Sequence, residues 1–467
     1  MSRLDCSAGA SGTMTTMRTR YHFSGVGGAG MSPLARLMRA RGHAVQGSDR
    51  AFDAGKNREA ADTLRAAGVE LVPHDGSGIT GVIDHFVFST AVEAETPEMR
   101  AARARGLAML ARPALLAELV DTGRPGVAVS GTSGKSTITG MVAWLARESG
   151  AVASVIGGAA LVGEGGGGCL VPGPGDGAVA AEACESDGTL VGYHPALGLI
   201  HNVSRDHGEL DWVRAQFATF AAQCGRLWVN ARCAEASALG RRPGALSYGV
   251  GAGADAPVTP RSLGPARATG VLRWRGSDVG LDVPQPGLHN LENAAAAALV
   301  GLELGIRPAD VERLLPRFPG VARRFETIGV TGTGIRIIDD FAHNGEKIRA
   351  ALTTAQAGAP RVVAVFQPHG FGPARFLRGE LRELIPSLLR PSDRFCYAEI
   401  FYAGGSVTRD LSSRDLAADI GCAYAEDHAA VTRWVAGEAR PGDTILLMGA
   451  RDPELPRLAR RVLAALG

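Results

Sequence analysis

Hydrophobic residues along this chain come in short dense runs, with polar residues and glycines gathered between them. Tyr21-His22-Phe23, Ala44–Gly47 and His85–Phe88 have strand length, and each is followed by a segment with helical spacing: Met31–Arg41, Arg58–Ala67 and Pro97–Arg105. Such alternation predicts a parallel sheet with helices on its faces. Asp121–Gly126 reads as a linker by composition. A second α/β segment then opens with the run Val127–Ser130 and a helical stretch around Met141–Leu145, and adds strands at Ala178–Ala181 and Leu197–Ile200. Its later part holds a glycine- and proline-dense insert, Gly163–Gly177, expected to be flexible. A β-like stretch at Val271–Val283 precedes an alanine-rich helix, Leu291–Gly305. A third segment begins near Arg323, with strands at Ile335–Ile338, Val362–Phe366, Arg394–Ala398 and Thr444–Met448. The pattern predicts three α/β domains over residues 20–124, 125–322 and 323–467, with no repeat of fixed period.

Composition narrows the class. The 467 residues are 45% hydrophobic, enough for a real core, and the net charge of +2 gives no footprint for nucleic acid or a membrane surface. The seven cysteines form no C-x-x-C, which reads as reduced thiols in a cytoplasm. No apolar run reaches membrane-spanning length, and residues 1–19 have no apolar core of a secretory signal. This Ser-, Thr-, Gly- and Ala-rich stretch is expected to be a disordered leader or the product of a misplaced start, with Met14 and Met17 as alternatives.

The sharpest chemical signal is Gly131-Thr132-Ser133-Gly134-Lys135-Ser136-Thr137, between a predicted strand and a predicted helix. Such a turn aims backbone N–H groups, a helix N-terminus and an ammonium at one point, which suits the phosphates of ATP. Ser136 can offer its hydroxyl to Mg²⁺. The chain has only three lysines, Lys56, Lys135 and Lys347, so an ammonium kept at this turn points to a chemical need.

A second turn, Gly25-Val26-Gly27-Gly28-Ala29-Gly30, fits G-x-G-x-x-G after a strand, with Asp49 as the acidic residue about 20 positions on. That pattern suits NAD or any nucleotide diphosphate. Glu182–Asp187 follows a strand and reads either as a Mg²⁺ site or as a solvated acidic turn. His207, in Asn202–His207, is a metal ligand or a helix cap. Asn290 is a natural N-cap for the alanine-rich helix, and Asn293, one turn in, could meet an adenine edge. Arg323-Arg324 is a phosphate clamp or a surface pair. Asp339, Asp340 and His343 close a strand where open α/β sheets bind ligands.

In order along the chain, these motifs resemble the Mur ligases, the ATP-dependent amino-acid ligases of peptidoglycan synthesis. The resemblance runs from Tyr21 to about Glu454. It is carried by His22–Ser32, Gly47-Ser48-Asp49, the phosphate turn, Glu185-Ser186-Asp187, Asp206-His207, Gly287–Asn290, Arg323-Arg324-Phe325 and Phe366–His369. Within the family it points to the branch that joins L-alanine to UDP-N-acetylmuramate and the branch that attaches recycled tripeptide. The absence of lysine over 208–229, where other branches carry a carbamylated one, agrees with this.

The resemblance implies a Rossmann-like N-terminal domain, a central P-loop ATPase-like domain and a Rossmann-like C-terminal domain. It implies that Gly25, Gly27, Gly28, Gly30, Ser48 and Asp49 hold a UDP-activated amino sugar. It places Lys135 and Ser136 on ATP and Mg²⁺, and Glu185 and His207 on Mg²⁺. It sets His289, Asn290 and Asn293 near adenine, Asp340 near ribose and Arg324 near the γ-phosphate. The partner substrates would be the nucleotide sugar and an amino acid or peptide, with the protein a monomer or a homodimer.

The acceptor half departs from the family. Ser133, Ser136 and Cys184 replace the usual His, Thr and Asp. Phe341–Gly345 replaces Tyr-Ala/Gly-His-His-Pro, which puts Asn344 where the second histidine stands. After Gln-Pro-His the family continues Arg-Tyr-x-Arg-x-Arg, but Gly370 and Pro373 stand here for the first two arginines and only Arg375 remains. The expectation is an intact ATP half and an altered amine site. A non-catalytic paralogue that binds nucleotide sugar and an NAD-dependent oxidoreductase are the alternatives.

Overall fold

The computed structural model describes residues 19–89, 95–164, 167–186, 188–204, 209–251, 253–402 and 408–467. The chain is α/β and divides after Arg112 into two compact units.

The first unit holds a parallel sheet of β1 (Arg20–Ser24), β2 (Ala44–Ser48), β3 (Glu70–Leu71), β4 (His85–Phe88) and β5 (Ala108–Ala111). Their order is β3-β2-β1-β4-β5. The order reverses beside β1, which opens a crevice at the C-terminal ends of the strands. The glycine turn after β1 lies at that end. Phe23, Phe86 and Leu34 are fully buried and form part of this unit's core. The short strand β5 was not foreseen.

The second unit carries two sheets. The larger contains β6 (Gly126–Ser130), β7 (Ala153–Gly157), β8 (Cys169–Val171), β9 (Ala178–Glu182), β10 (Leu197–Ile200), β11 (Arg226–Asn230), β12 (Ala245–Val250), β13 (Ala256–Leu263), β14 (Ala268–Trp274) and β15 (Ser277–Val283). The order is β15-β14-β13-β12-β11-β10-β6-β9-β7-β8. The run from β13 to β7 is parallel, with antiparallel additions at both ends. The expected β-like stretch is the hairpin β14–β15. It turns at Arg275 and Gly276, which both have positive φ (49° and 83°), as a two-residue type I′ turn requires. The insert expected to be flexible contributes β8, paired with β7, because its apolar triplet Cys169-Leu170-Val171 can extend the sheet.

The alanine-rich helix runs Leu288–Glu303 and is buried from Asn290 to Leu302. Alanines 294–298 are fully buried, so the helix packs closely on the helix that follows the phosphate turn, Lys135–Ser149. Ala296→Leu would overfill this fully buried helix and cost about 1–3 kcal/mol.

The third sheet contains β16 (Glu326–Val330), β17 (Arg336–Asp340), β18 (Val362–Gln367), β19 (Arg394–Ala398), β20 (Ala423–Ala425) and β21 (Thr444–Gly449), in the order β16-β17-β21-β18-β19-β20. The run from β17 to β20 is parallel, and β16 joins it antiparallel at one edge.

Two local expectations are corrected. Asp121 and Thr122 are not linker but the last turn of a helix, Arg112–Thr122, whose apolar face buries Leu115, Leu116, Leu119 and Val120. Asn290 is not the N-cap of the alanine-rich helix. The helix starts at Leu288 with Gly287 as its cap, because Gly287 reaches φ +90° and lets the helix begin three residues early.

Candidate active site

The phosphate turn connects β6 to the helix Lys135–Ser149. Gly131 and Gly134 have φ of +144° and +85°, conformations that a side chain would strain. A Cβ at Gly134 would also lie 2.6 Å from Asn293 Oδ1 and 3.0 Å from the His201 ring, so glycine is required there twice over. The turn is tied to the end of β10: Thr132 N donates to Asn202 O, Ser133 N donates to Asn202 Oδ1 at 2.7 Å, and Ser204 N donates to Thr132 Oγ1.

Lys135 curls back over the turn. Its Nζ donates to Gly131 O at 2.5 Å and to Glu185 Oε2 at 2.7 Å. Glu185 is fully buried. Burial alone would lower the ammonium's pKa, but Cys184 and the Glu185 carboxylate beside it outweigh that and hold it above its ordinary value. The side chain is therefore a fixed cation. Ser136 Oγ donates to Glu182 Oε1 at 2.8 Å and accepts from Arg324 Nη2 at 3.1 Å. Glu182, from the end of β9, also accepts from Gly158 N.

Residues from segments flanking strands of the third sheet, and from one helix, close over this turn. Arg324, Phe341, His343, Lys347, His369, Ala450 and Arg451 join the turn, Glu182 and Cys184 around a cavity of about 230 Å³. A second cavity, of about 220 Å³, is bounded by Ser133, Gly134 and Thr137 of the turn, by His201, His289, Asn290 and Asn293, and by Arg324, Asp340 and Lys347. Arg324 thus borders both. It lies between two residues of positive φ, Arg323 (60°) and Phe325 (52°), and its guanidinium sits over the Phe341 ring at 4.9 Å. That strained corner is held by Asp340, which accepts from Phe325 N at 2.6 Å and from Ala342 N at 2.7 Å. Burial raises the pKa of Asp340 against the pull of Arg324. Arg323 pairs instead with Asp339, whose pKa burial raises to about 6.

Mg²⁺ has a suitable donor here. Glu185 Oε1 is buried and has no hydrogen-bond partner among the described residues, although its other oxygen holds Lys135. An orphaned carboxylate oxygen beside a phosphate turn fits a hard cation. His207 and its neighbour Asp206 lie outside the described residues, as does Asp187.

The glycine turn of the first unit is built differently. Gly25 N and Val26 N donate to Ser48 O, and Gly27 N donates to Asp49 Oδ2 at 3.0 Å. Asp49 also caps the short helix Arg50–Asp53 through Ala51 N. A Cβ at Gly27 would meet Phe52 at 2.7 Å and Asp49 Oδ2 at 2.9 Å. Gly28 is exposed, and Gly25 and Gly30 are half-buried. Ser48 departs from its expected contact with ligand. It is fully buried, and its hydroxyl donates to Glu98 Oε1 at 2.5 Å, so it supports the turn from beneath. Glu98, also fully buried, accepts from Ser24 Oγ at 2.6 Å and pairs with His22 at 3.2 Å and His74 at 2.9 Å. Burial opposes its charge, but the bonds to His22 and His74 prevail and hold the carboxyl well below its usual range.

The expected acceptor residue Arg375 lies elsewhere, and Asn344, which stands for the family's second histidine, serves its own helix. Arg375 borders neither cavity; it pairs with Asp410 and donates to Thr408 O. Asn344 is the N-cap of the helix Gly345–Ala357 and accepts from Lys347 N. His343 does border the phosphate cavity, with its ring 5.2 Å from that of His369. Sequence reasoning missed Lys347, Arg451, His201 and Glu98 as individual residues. The scarcity of lysine that marked Lys135 applies equally to Lys347. Nothing local marks the other three.

Residues 20–124 match the family described as Mur ligase family, catalytic domain, and residues 323–451 match Mur ligase, glutamate ligase domain. The chain is 36% identical to a UDP-N-acetylmuramate–L-alanine ligase of Kineococcus radiotolerans over 93% of each chain. It is 32% identical to one from Xanthomonas campestris over 95% of each. Its fold is similar to the crystal structure of UDP-N-acetylmuramate–alanine ligase from Thermotoga maritima, with a TM-score of 0.75 and 25% identity over 95% of this chain and 98% of that one. It also resembles the fold of a murein peptide ligase from Psychrobacter arcticus, with a TM-score of 0.68 and 22% identity over 96% and 99%.

Proposed function

The chain belongs to the Mur ligase family, and on that premise we propose that it is an ATP-dependent, ADP-forming ligase of peptidoglycan synthesis. It joins an amino acid or short peptide to the carboxylate of a UDP-N-acetylmuramate-like substrate. The observation that carries this reading is the convergence of Lys135, Arg324 and Lys347, from two sheets, on the cavity over the phosphate turn. ATP supplies the phosphoryl group that turns the substrate carboxylate into an acyl phosphate, releasing ADP; the amine then attacks the acyl carbon, forming the amide as inorganic phosphate leaves.

The residues position and neutralise. Lys135 presents a fixed cation to the phosphates. Arg324 supplies a second from a corner kept in place by Asp340 and Phe341. Glu185 Oε1, with Ser136 and His207, is the proposed Mg²⁺ set. The glycine turn of the first unit, with Asp49, is the proposed nucleotide-sugar site. We assign nucleotide-sugar binding to residues 20–124, ATP binding to residues 125–322 and the ligase domain to residues 323–467. A cytoplasmic setting would supply both nucleotides. Among the described residues, no helix is long and apolar enough to cross a membrane. A non-catalytic role has no support, since the relatives are named for catalysis.

The acceptor is the finer question. The curated relatives are named for L-alanine. In this chain Arg375 is engaged by Asp410, and Asn344 by its own helix. We infer that the acceptor's carboxylate meets a different set of groups. ADP release, measured with UDP-N-acetylmuramate and a panel of amino acids and short peptides, tests the proposal. Release that needs both the nucleotide sugar and an amine supports it, and release indifferent to the sugar would overturn it.

A further inference from the structure

Behind the phosphate turn lies a buried histidine–tyrosine pair. His201 follows β10 directly and is 4% exposed, and its Nδ1 is 2.6 Å from the Tyr248 hydroxyl, on β12. Tyr248 is fully buried. Among the described residues its hydroxyl has no hydrogen-bond partner besides His201. An O–H buried without an acceptor is costly, so the phenol donates to Nδ1. The imidazole proton then sits on Nε2. Burial pulls the His201 pKa down to about 4, with His289 adding to the effect, so the ring is neutral at pH 7. The Tyr248 phenol is raised by burial and stays protonated.

His201 borders the cavity of about 220 Å³, and the ring edge it turns toward Gly134 carries Nε2. Nε2 lies 3.3 Å from the point where a Gly134 Cβ would stand, and Asn293 Oδ1 lies 2.6 Å from the same point. Asn293 is 4% exposed, and its Oδ1 has no partner among the described residues, while its Nδ2 donates to Asn290. A preset donor and an orphaned acceptor therefore stand side by side on one wall of the cavity.

We propose that His201, locked by Tyr248 with its proton on Nε2, donates to an adenine ring nitrogen next to the 6-amino group, while Asn293 Oδ1 accepts from that amino group. The donor–acceptor pair matches an adenine edge, which sets a ring-nitrogen acceptor beside an amino donor. Tyr248 is a positioning residue, and His201 the contact. This rests on the reading of the cavity as the ATP site.

Calorimetric titration of the full-length protein with ADP, 1-deaza-ADP and 7-deaza-ADP tests both layers. Wild-type protein should bind one of the two deaza analogues about three- to tenfold more weakly than ADP, the worth of one ordinary hydrogen bond. Tyr248→Phe, which keeps the ring, should weaken ADP by a similar factor. In His201→Ala, ADP and that analogue should bind alike. If wild-type protein binds no ADP, the nucleotide reading itself fails and this proposal with it. If it binds ADP but neither analogue is penalised, or if Tyr248→Phe binds as wild type and keeps the full penalty, the proposal is overturned and the ATP site stands.

Discussion

The chain uses the same local device twice, a strand, a glycine turn and a helix, and the two copies differ in what lies behind them. At Gly25–Gly30 the turn's own N–H groups are drawn inward by Ser48 O and Asp49, and beneath it sits a carboxylate, Glu98, between two imidazoles. At Gly131–Thr137 a lysine lies across the turn, its counter-ion keeps one oxygen unspent, and an arginine reaches the serine hydroxyl from another sheet. The first turn is braced, and Gly25–Gly30 itself holds no charged residue, the Arg112 guanidinium lying beside Gly30 instead. The second is charged and bordered by cavities. Turn geometry makes a nucleotide site possible, and the groups behind it decide between holding a nucleotide and transferring its phosphoryl group.

The comparison breaks most severely at Lys135. Lys135→Ala should cut ATP turnover by roughly 10²–10³ or more while the fold survives, because a preorganised charge on the transferring phosphate is lost. Near-normal turnover in a folded variant would remove the phosphate-site assignment.

Glu185 and His207 should fail as one unit. Glu185→Ala, His207→Ala and the double variant should leave similar residual rates, since groups sharing one metal lose activity non-additively. Losses that multiply independently in steady-state assays would separate the two residues.

The braced turn should respond differently. Glu98→Gln removes the charge that His22 and His74 share, where each charged hydrogen bond is worth about 1.5–3 kcal/mol. The KM for the nucleotide sugar should rise about tenfold, while the KM for ATP stays put; equal rises would deny the division of labour. The pH dependence follows from the two shifts. Glu98 is held below its ordinary 4.5, so its contribution is complete above that value and lost as pH falls through the depressed one. The bond to Glu98 raises His74 above its ordinary 6.5, so its contribution is complete below 6.5 and lost as pH rises through the raised value. The pair therefore braces the fold most between about pH 4.5 and 6.5. Thermal melting across pH should show that advantage in the wild type and a flatter profile in Glu98→Gln.

The smallest effect concerns the acceptor. Each arginine absent at Gly370 and Pro373 should cost an unchanged L-alanine site roughly tenfold. A kcat/KM for L-alanine well above that of every other amine would restore the ordinary acceptor.

How much of this the sequence discloses follows from the range of the interactions. The phosphate turn was legible because glycine, lysine and hydroxyl act within seven consecutive residues. The hairpin β14–β15 was legible from its apolar alternation. Asn290 misled because capping preference is local, whereas Gly287 could open the helix earlier by its own backbone freedom. Ser48 misled for the opposite reason: its motif is on the surface of the sequence but its hydroxyl points into the core. Glu98, His201 and Tyr248 act across 24 to 76 positions, through partners that only the fold brings together. Arg375 looked like the surviving acceptor clamp until Asp410 appeared beside it.

The central claim is that this site activates a carboxylate by phosphorylation. UDP-N-acetylmuramate labelled with ¹⁸O in its carboxylate, incubated with ATP, Mg²⁺ and a competent amine, tests it most directly. One labelled oxygen should pass to each phosphate released, because it stays with the departing phosphate when the amine displaces it from the acyl phosphate. Phosphate released without label, while amide accumulates, would contradict it.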